Sequence, residues 1–304
     1  MTVPALDAAT RGRRSLRQMA DDAVEAERLG YDSIWVMDHV FIDRDGTRSA
    51  AGPEPLTFLG FAAALTRRVE LGTLVLCAPF RPPAQLAREA KSLYEASAGR
   101  FVLGVGSGWH QPEFDAFGFP FDHLVGRFED YLEVLTRLLG PGPGDYEGRH
   151  QVLRGGEVFG PTVPAPWIAA FGPRMLGLAG RLASGWNSAW HGPDTRQFVE
   201  RLVQVEAALA AAGRGRPELA ASAGVMVVPL EGDELADAAR SMGLSTADLE
   251  ARAVTGGPKA VAEALLAYRA AGCDHLILNF STSPFRGLGE GLPARLAPLL
   301  DRLR

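Results

Sequence analysis

The chain has 304 residues, of which 47% are hydrophobic and 22% charged, a composition that supports a sizeable core and excludes a disordered or fibrous protein. Its formal net charge is −5, with 36 acidic against 31 basic side chains, so no overall positive field exists to gather nucleic acid. No stretch approaches the roughly 18 apolar residues of a membrane span, and the opening MTVPALDAATRGRRS lacks the apolar core of an export signal.

Apolar runs of strand length alternate with longer stretches of helical period along almost the whole chain, the pattern of parallel strands joined by crossover helices. After a weak first strand candidate at Val3 to Leu6, residues 15–29 place Leu16, Met19, Ala20, Ala23, Val24 and Leu29 on one helical face and stop at Gly30. SIWVM follows as a buried strand. A helix over 55–66 leads to the strand VELGTLVLC, and a helix over 83–97 leads to FVLGVG. A helix over 126–139 runs into a Gly/Pro-rich stretch, 140–166, too long for an ordinary connection and expected as an excursion over the surface. PWIAAF, a helix over 174–183, WNSAW, a helix over 195–212 and ASAGVMVVPL come next. A charged stretch at 232–252, a helix over 258–271, HLILNF and a last helix near 291–303 end the chain.

These are eight strand–helix units, and the expected fold class is α/β, a (β/α)8 TIM barrel formed by residues 1–304 as one domain. Strands that are apolar almost without interruption fit burial on both faces of a closed parallel barrel. The rival is an open doubly wound sheet, which normally has a glycine-rich turn after its first strand. Here TRGRR stands at that place, and the glycine-spaced GVGSG follows the fourth strand. Cys77 and Cys273 sit singly inside apolar runs, with no spacing of a disulfide framework, which reads as a reducing cytoplasm.

Barrel enzymes carry their chemistry at the C-terminal strand ends. The second strand ends at Asp38, His39 and Phe41; the third at Ala78, Pro79, Phe80 and Arg81; the fourth at Gly106, Ser107, Gly108, Trp109 and His110. The fifth ends at Gly172, Pro173 and Arg174, the sixth at Trp190 and His191. His39 beside Asp38 suits proton chemistry near neutral pH, though the pair alone is equally compatible with a histidine hydrogen-bonded in a loop. The small side chains of GVGSGW let backbone approach a flat ring or a phosphate, or simply make a tight turn. FGPRML opens a helix whose free amides, beside Arg174, suit a phosphate, and is also a plain helix start. Phe41, Phe80, Arg81, His110, Trp190 and His191 are expected to line a substrate pocket, whereas Trp35, in mid-strand, is expected to pack inside. The strand ends offer no His/carboxylate cluster of metal-ligand type, which argues against a metal-dependent hydrolase.

The segments AERLGYDSIWVMDHV, EPLTFLGFAAALTRRVELGTLVL, FRPPAQLAREAKSLYEASAGRFVLGVGSGW and PWIAAFGPRMLGLAGRLASGWN resemble the luciferase-like oxidoreductases, and the likeness runs from Ala23 to about Phe280. That resemblance implies a (β/α)8 homodimer using flavin mononucleotide or its deazaflavin analogue, coenzyme F420, and Asp38-His39 resembles the deazaflavin-using branch. It implies that His39 faces the ring as the catalytic residue, that Asp38 and the turn through Gly106, Ser107, Gly108 and Trp109 run along the cofactor, and that Gly172, Pro173 and Arg174 help hold its phosphate. It also implies a non-proline cis peptide behind the ring near Leu74-Val75. The implied activity is hydride transfer between the deazaflavin and a small organic substrate. Its rivals are a flavin mononucleotide-dependent monooxygenase and a cofactor-binding barrel without catalysis. Two departures stand out. Only MTVPAL is offered as a first strand, so either that strand is short or the assigned start is late. Pro79, Pro82 and Pro83 can also change loop shape near the ring.

Overall fold

In the computed structural model, which describes residues 1–6, 13–44, 47–281 and 291–304, the apolar runs are parallel strands and the amphipathic stretches are the helices that return between them. The second strand, Ser33–Val36, pairs with the third at Glu70–Thr73, and the third with the fourth at Phe101–Val102. The third resumes at Leu76–Cys77 and the fourth at Gly104–Gly106, where they pair again. The fifth (Trp167–Ala169), sixth (Gly185–His191), seventh (Ala220–Val228) and eighth (His275–Asn279) follow in chain order, each parallel to the one before.

Residues 1–3 close the ring. The Thr2 amide donates to the Leu278 carbonyl at 2.9 Å, the Val3 amide to Trp35 at 2.9 Å, and the Trp35 amide to Met1 at 2.8 Å. The first-strand pairing therefore lies at residues 1–3, ahead of the expected Val3 to Leu6, because Leu6 instead forms an antiparallel bridge with Arg13. Every hydrogen bond of a closed barrel is internal, which removes the exposed edge an open sheet would present.

The helices fall within about two residues of expectation. Leu16–Arg28 begins at a reciprocal cap between Ser15 and Gln18. Pro55–Leu65, Pro83–Ala96, Pro173–Leu182 and Pro258–Ala270 each start on a proline, whose missing amide is no loss in a first turn. The last helix divides into Leu292–Leu296 and Leu300–Leu303, with a tighter turn across Ala297–Leu299 where Pro298 lacks a donor.

The sequence did not announce several further elements. An antiparallel hairpin, Phe41–Arg44 with Thr47–Ala50, follows the second strand. A short helix, Gln111–Phe117, follows the fourth. The excursion at 140–166 contains the hairpin Gly144–Glu147 with Val152–Gly156. It is fastened to the helix Leu124–Leu139 through Asp130, which accepts from the Tyr146 hydroxyl at 2.7 Å and the His150 amide at 2.6 Å. The charged stretch holds the helices Gly232–Ser241 and Thr246–Arg252.

Trp35, Trp167 and His275 fill the interior at the N-terminal ends of the strands, with the Trp35 ring 5.3 Å from Trp167 and 5.5 Å from His275. Their bulk needs glycine opposite, since a Cβ at Gly72 would lie 2.2 Å from Trp35 and one at Gly185 2.3 Å from Trp167. The Ser33 hydroxyl accepts from the Trp35 indole and meets His275 Nε2, each at 2.8 Å. Burial pushes the His275 imidazole down to about 4, so it is neutral at physiological pH. Space remains at the other end of the barrel. No helix of the described residues is long and apolar enough to cross a membrane.

Candidate active site

Around the C-terminal strand ends lies a cavity of about 590 Å³, within the roughly 300–1,000 Å³ of small-molecule sites. Asp38, His39, Leu74, Val75, Gly106, Ser107, Gly108, Trp109, His110 and Trp190, gathered from four strands, all line it.

His39 is not oriented by its neighbour Asp38. Its Nδ1 lies 2.8 Å from Oε2 of Glu113, a side chain only 2% exposed. Oε1 of the same carboxylate accepts the Val40 amide at 2.6 Å and the Phe41 amide at 3.3 Å. Burial by itself raises a carboxyl pKa, but the hydrogen bonds from His39 and the two amides outweigh it and hold Glu113 below the usual glutamate range. An ionised carboxylate only accepts, so the His39 ring must carry a proton on Nδ1, and in its neutral form Nε2 is the basic nitrogen. Glu113 does not stand at a strand end but on the helix Gln111–Phe117. The available signal was an acidic residue in the first turn of a helix with proline as its second residue, directly after a strand-end histidine.

Asp38 also lines the cavity, but its carboxylate faces Arg81, which reaches it through Nη2 at 3.1 Å and reaches Glu54 at 2.9 Å. The Cys77 amide completes the set at 2.9 Å. Arg81 is thus a correction to the expected substrate pocket, its guanidinium being used to neutralise two carboxylates at the base of the wall. Replacing it with methionine strands a buried Asp38 charge. We expect Arg81→Met to lower stability by about 3 kcal/mol, read as a fall in Tm at neutral pH.

Phe41, Phe80 and His191 likewise stand away from the cavity. The hairpin turns Phe41 under the Arg48 guanidinium, 3.7 Å from its ring centre, and against Phe117. The tight turn Ala78–Phe80 directs Phe80 onto Phe114 and Phe119, in a separate hollow of about 360 Å³ that also takes Arg81. An irregularity in the sixth strand between Ala189 and His191 breaks the alternation of faces, so Trp190 enters the cavity and His191 packs outward. There the His191 ring meets the Ser188 hydroxyl at 2.9 Å, and burial pushes its pKa down to about 4. His110 stays at the wall and accepts the Asp43 amide at 3.1 Å. Accepting requires a neutral ring, and burial lowers its pKa accordingly.

The floor could receive a flat ring. A Cβ at Gly106 would lie 2.9 Å from Val75, and Gly108, at φ +82°, has room for none, since a Cβ would lie 2.4 Å from Phe114. The Leu74–Val75 peptide is cis. Asn187, in the sixth strand, is 1% exposed and binds the Ser222 hydroxyl at 2.6 Å, while its Nδ2 has no partner. Whichever way the amide is turned, one end of a buried carboxamide stays unmet at the cavity floor, a place for a ligand's polar atom.

Phe171 lines the same cavity and leads into Gly172 and Pro173, which open the helix Pro173–Leu182 without a side-chain cap. Arg174 turns away to Glu129 at 2.9 Å and lines a different hollow. The cation nearer the cavity is Arg201, whose guanidinium lies 5.0 Å over the Phe171 ring. No sequence signal marked Arg201, which sits within the helix Arg196–Ala211.

Residues 1–242 match the family of luciferase-like monooxygenases. The chain is 32% identical over 210 residues to an F420-dependent glucose-6-phosphate dehydrogenase of Microbacterium testaceum (strain StLB037), covering 66% of this chain and 61% of that protein. It spans about half the length of the curated relatives it matches. An F420-dependent secondary alcohol dehydrogenase, solved with an F420-acetone adduct, superposes with a TM-score of 0.80 over 100% of this chain and 97% of its own, at 16% identity. An EDTA monooxygenase from Chelativorans sp. BNC1 superposes equally well, at 0.80 over 99% and 92%, also at 16% identity. At such identity the two structures establish the shared barrel. With most of its length matched, the chain belongs to the luciferase-like monooxygenase family.

Proposed function

We propose that the protein is a coenzyme F420-dependent oxidoreductase that moves a hydride between the deazaflavin and a small organic substrate, with His39 handling the accompanying proton. The observation that carries this reading is the His39–Glu113 pair, 2.8 Å apart in the wall of a cavity floored by glycines. An imidazole fixed by an ionised carboxylate can take a proton from a substrate hydroxyl or return one to a carbonyl oxygen. Glu113 acts through His39 and is a positioning residue. When bound, the deazaflavin gives or accepts the hydride, and the carbon in place of flavin's reactive nitrogen suppresses reaction with oxygen.

The remaining residues bind. Gly106 to Gly108 and Val75 would admit a planar ring, and Asn187 would meet one of its polar edge atoms. The amides of Gly172 and Pro173's helix, with Arg201 beside Phe171, would face a phosphate. Asp38 holds the third-strand loop in place through Arg81 and Cys77. The 32% identical relative with F420 in its name supports the cofactor choice. We place the enzyme in the cytoplasm as a homodimer.

A second reading, a flavin mononucleotide-dependent monooxygenase, has in its favour the equal superposition on the EDTA monooxygenase. Fluorescence-quenching titrations separate the two. The expected result is F420 binding at least about tenfold tighter than flavin mononucleotide, with no oxygen uptake by the reduced complex. Tighter flavin mononucleotide binding together with oxygen uptake would reverse the assignment.

A further inference from the structure

We infer that the substrate is an apolar alcohol or carbonyl compound, held by its hydrocarbon part against an aromatic rim at the cavity mouth. This rests on the reading of the cavity as the site of hydride and proton transfer, and it names the substrate class for that site. Two large apolar side chains of the cavity lining, Trp109 and Phe171, stand unusually bare, and two more, Val40 and Phe117, stand bare on the segments beside it. Trp109 is 62% exposed, Val40 and Phe117 50% each, and Phe171 45%. Val40 adjoins His39, the Trp109 ring lies 5.4 Å from His39, and Phe117 ends the helix Gln111–Phe117, which carries the lining residues Glu113 and Phe114. Scattered exposed apolar residues are ordinary, but a group of them continuous with a cavity marks a binding surface. Inside the mouth the wall continues with Met175, Met226 and Trp190, and the flexible thioethers adapt to irregular hydrocarbon.

Charge points the same way. The titratable groups lining the cavity are Asp38, His39, Cys77, His110 and Glu113, with no Lys or Arg among the described lining residues. Arg81 is bound to Asp38 and Glu54, Arg48 to Asp43 at 3.0 Å, and Arg174 to Glu129, while Arg201, over Phe171, is the cation assigned above to the cofactor's phosphate. A phosphorylated substrate reaching His39 would bring a dianion beside the Glu113 carboxylate in a poorly hydrated space, which is strongly unfavourable. A neutral hydrocarbon chain loses nothing there. In the oxidative direction the alcohol carbon gives up its hydrogen as hydride to the oxidised deazaflavin, the hydroxyl proton passes to the His39 imidazole, and the C=O bond forms. Reduction reverses each transfer.

The test is ligand-observed NMR titration of 2-butanone, 2-octanone and glucose 6-phosphate, into the cofactor-saturated protein and into the same protein without cofactor. A fully buried methylene is worth about a fourfold gain in affinity. The 2-octanone Kd is therefore expected at least about tenfold below that of 2-butanone, and below that of glucose 6-phosphate. Trp109→Ala should compress the ratio between the two ketones to about threefold or less, and Phe117→Ser should compress it in the same direction. Both side chains are half-exposed or more, so the variants keep the core intact. A ratio near one in the parent protein, an unchanged ratio in both variants, or tighter binding of glucose 6-phosphate overturns the inference. Failure to bind F420 would instead remove the cofactor assignment, while the ketone titrations on the cofactor-free protein still decide the substrate class.

Discussion

His39→Ala is expected to lower kcat with F420 by about 10²- to 10⁴-fold, the range that a positioned acid or base contributes, while F420 affinity changes only a few-fold. The expectation follows from position and partnership together. His39 lines the cavity, and its Nδ1 is held by a carboxylate that has two further backbone donors. Removing the imidazole leaves Glu113 still bonded to the Val40 and Phe41 amides, so the wall should survive and any loss of turnover is attributable to chemistry. Absorbance of F420 in a single turnover, with an alcohol or ketone that the parent enzyme accepts, measures the hydride step directly. Added imidazole should restore part of the rate, since it supplies the missing base without rebuilding the wall. Full turnover in the alanine variant would mean that another group moves the proton.

Much of the fold was legible because barrel strands and their helices differ in period and in length. Runs such as VELGTLVLC and HLILNF are buried on both faces and read as continuous apolar strands, while residues 15–29 show a single apolar stripe. The first strand was obscure because its role rests on backbone hydrogen bonds to Leu278 and Trp35, which no side-chain pattern advertises. Strand ends located the cavity, and His39, Trp109 and Trp190 are there. Which neighbour turns inward was not legible. Adjacent residues at a strand end do not keep the alternation of the strand once a hairpin, a tight turn or a bulge follows, and this separates Phe41, Phe80, Arg81 and His191 from the cavity. The Asp38-His39 dipeptide was a poor guide to pairing for the same reason. Both side chains lie beyond the end of the strand at Val36, and each found its partner on a different element, Asp38 in Arg81 and His39 in Glu113.

Glu113→Gln tests that partnership, and its expected effects can be told apart from mere loosening of the wall. Glutamine presents one acceptor and one donor where the carboxylate presents only acceptors. Its NH2 group must then face either His39 Nδ1 or the Val40 and Phe41 amides. In the first case the imidazole shifts to the other tautomer, and in the second two donors meet. We expect kcat to fall on the order of 100-fold with KM changed little, and stability at neutral pH to fall by about 2 kcal/mol, the scale of one buried group left unmet. The sign of the pH dependence follows from the lowered pKa of Glu113. A carboxyl whose native pKa is depressed contributes stability that is fully present above its usual value of 4.5, and the contribution is lost as pH falls through the native value. The gap in stability between parent and variant should therefore be widest near neutrality and narrow on acidification below that point. Denaturant melts across the acid range measure it. A gap that stays constant with pH, with kcat intact, would make Glu113 a packing residue and leave the imidazole without an ionised partner.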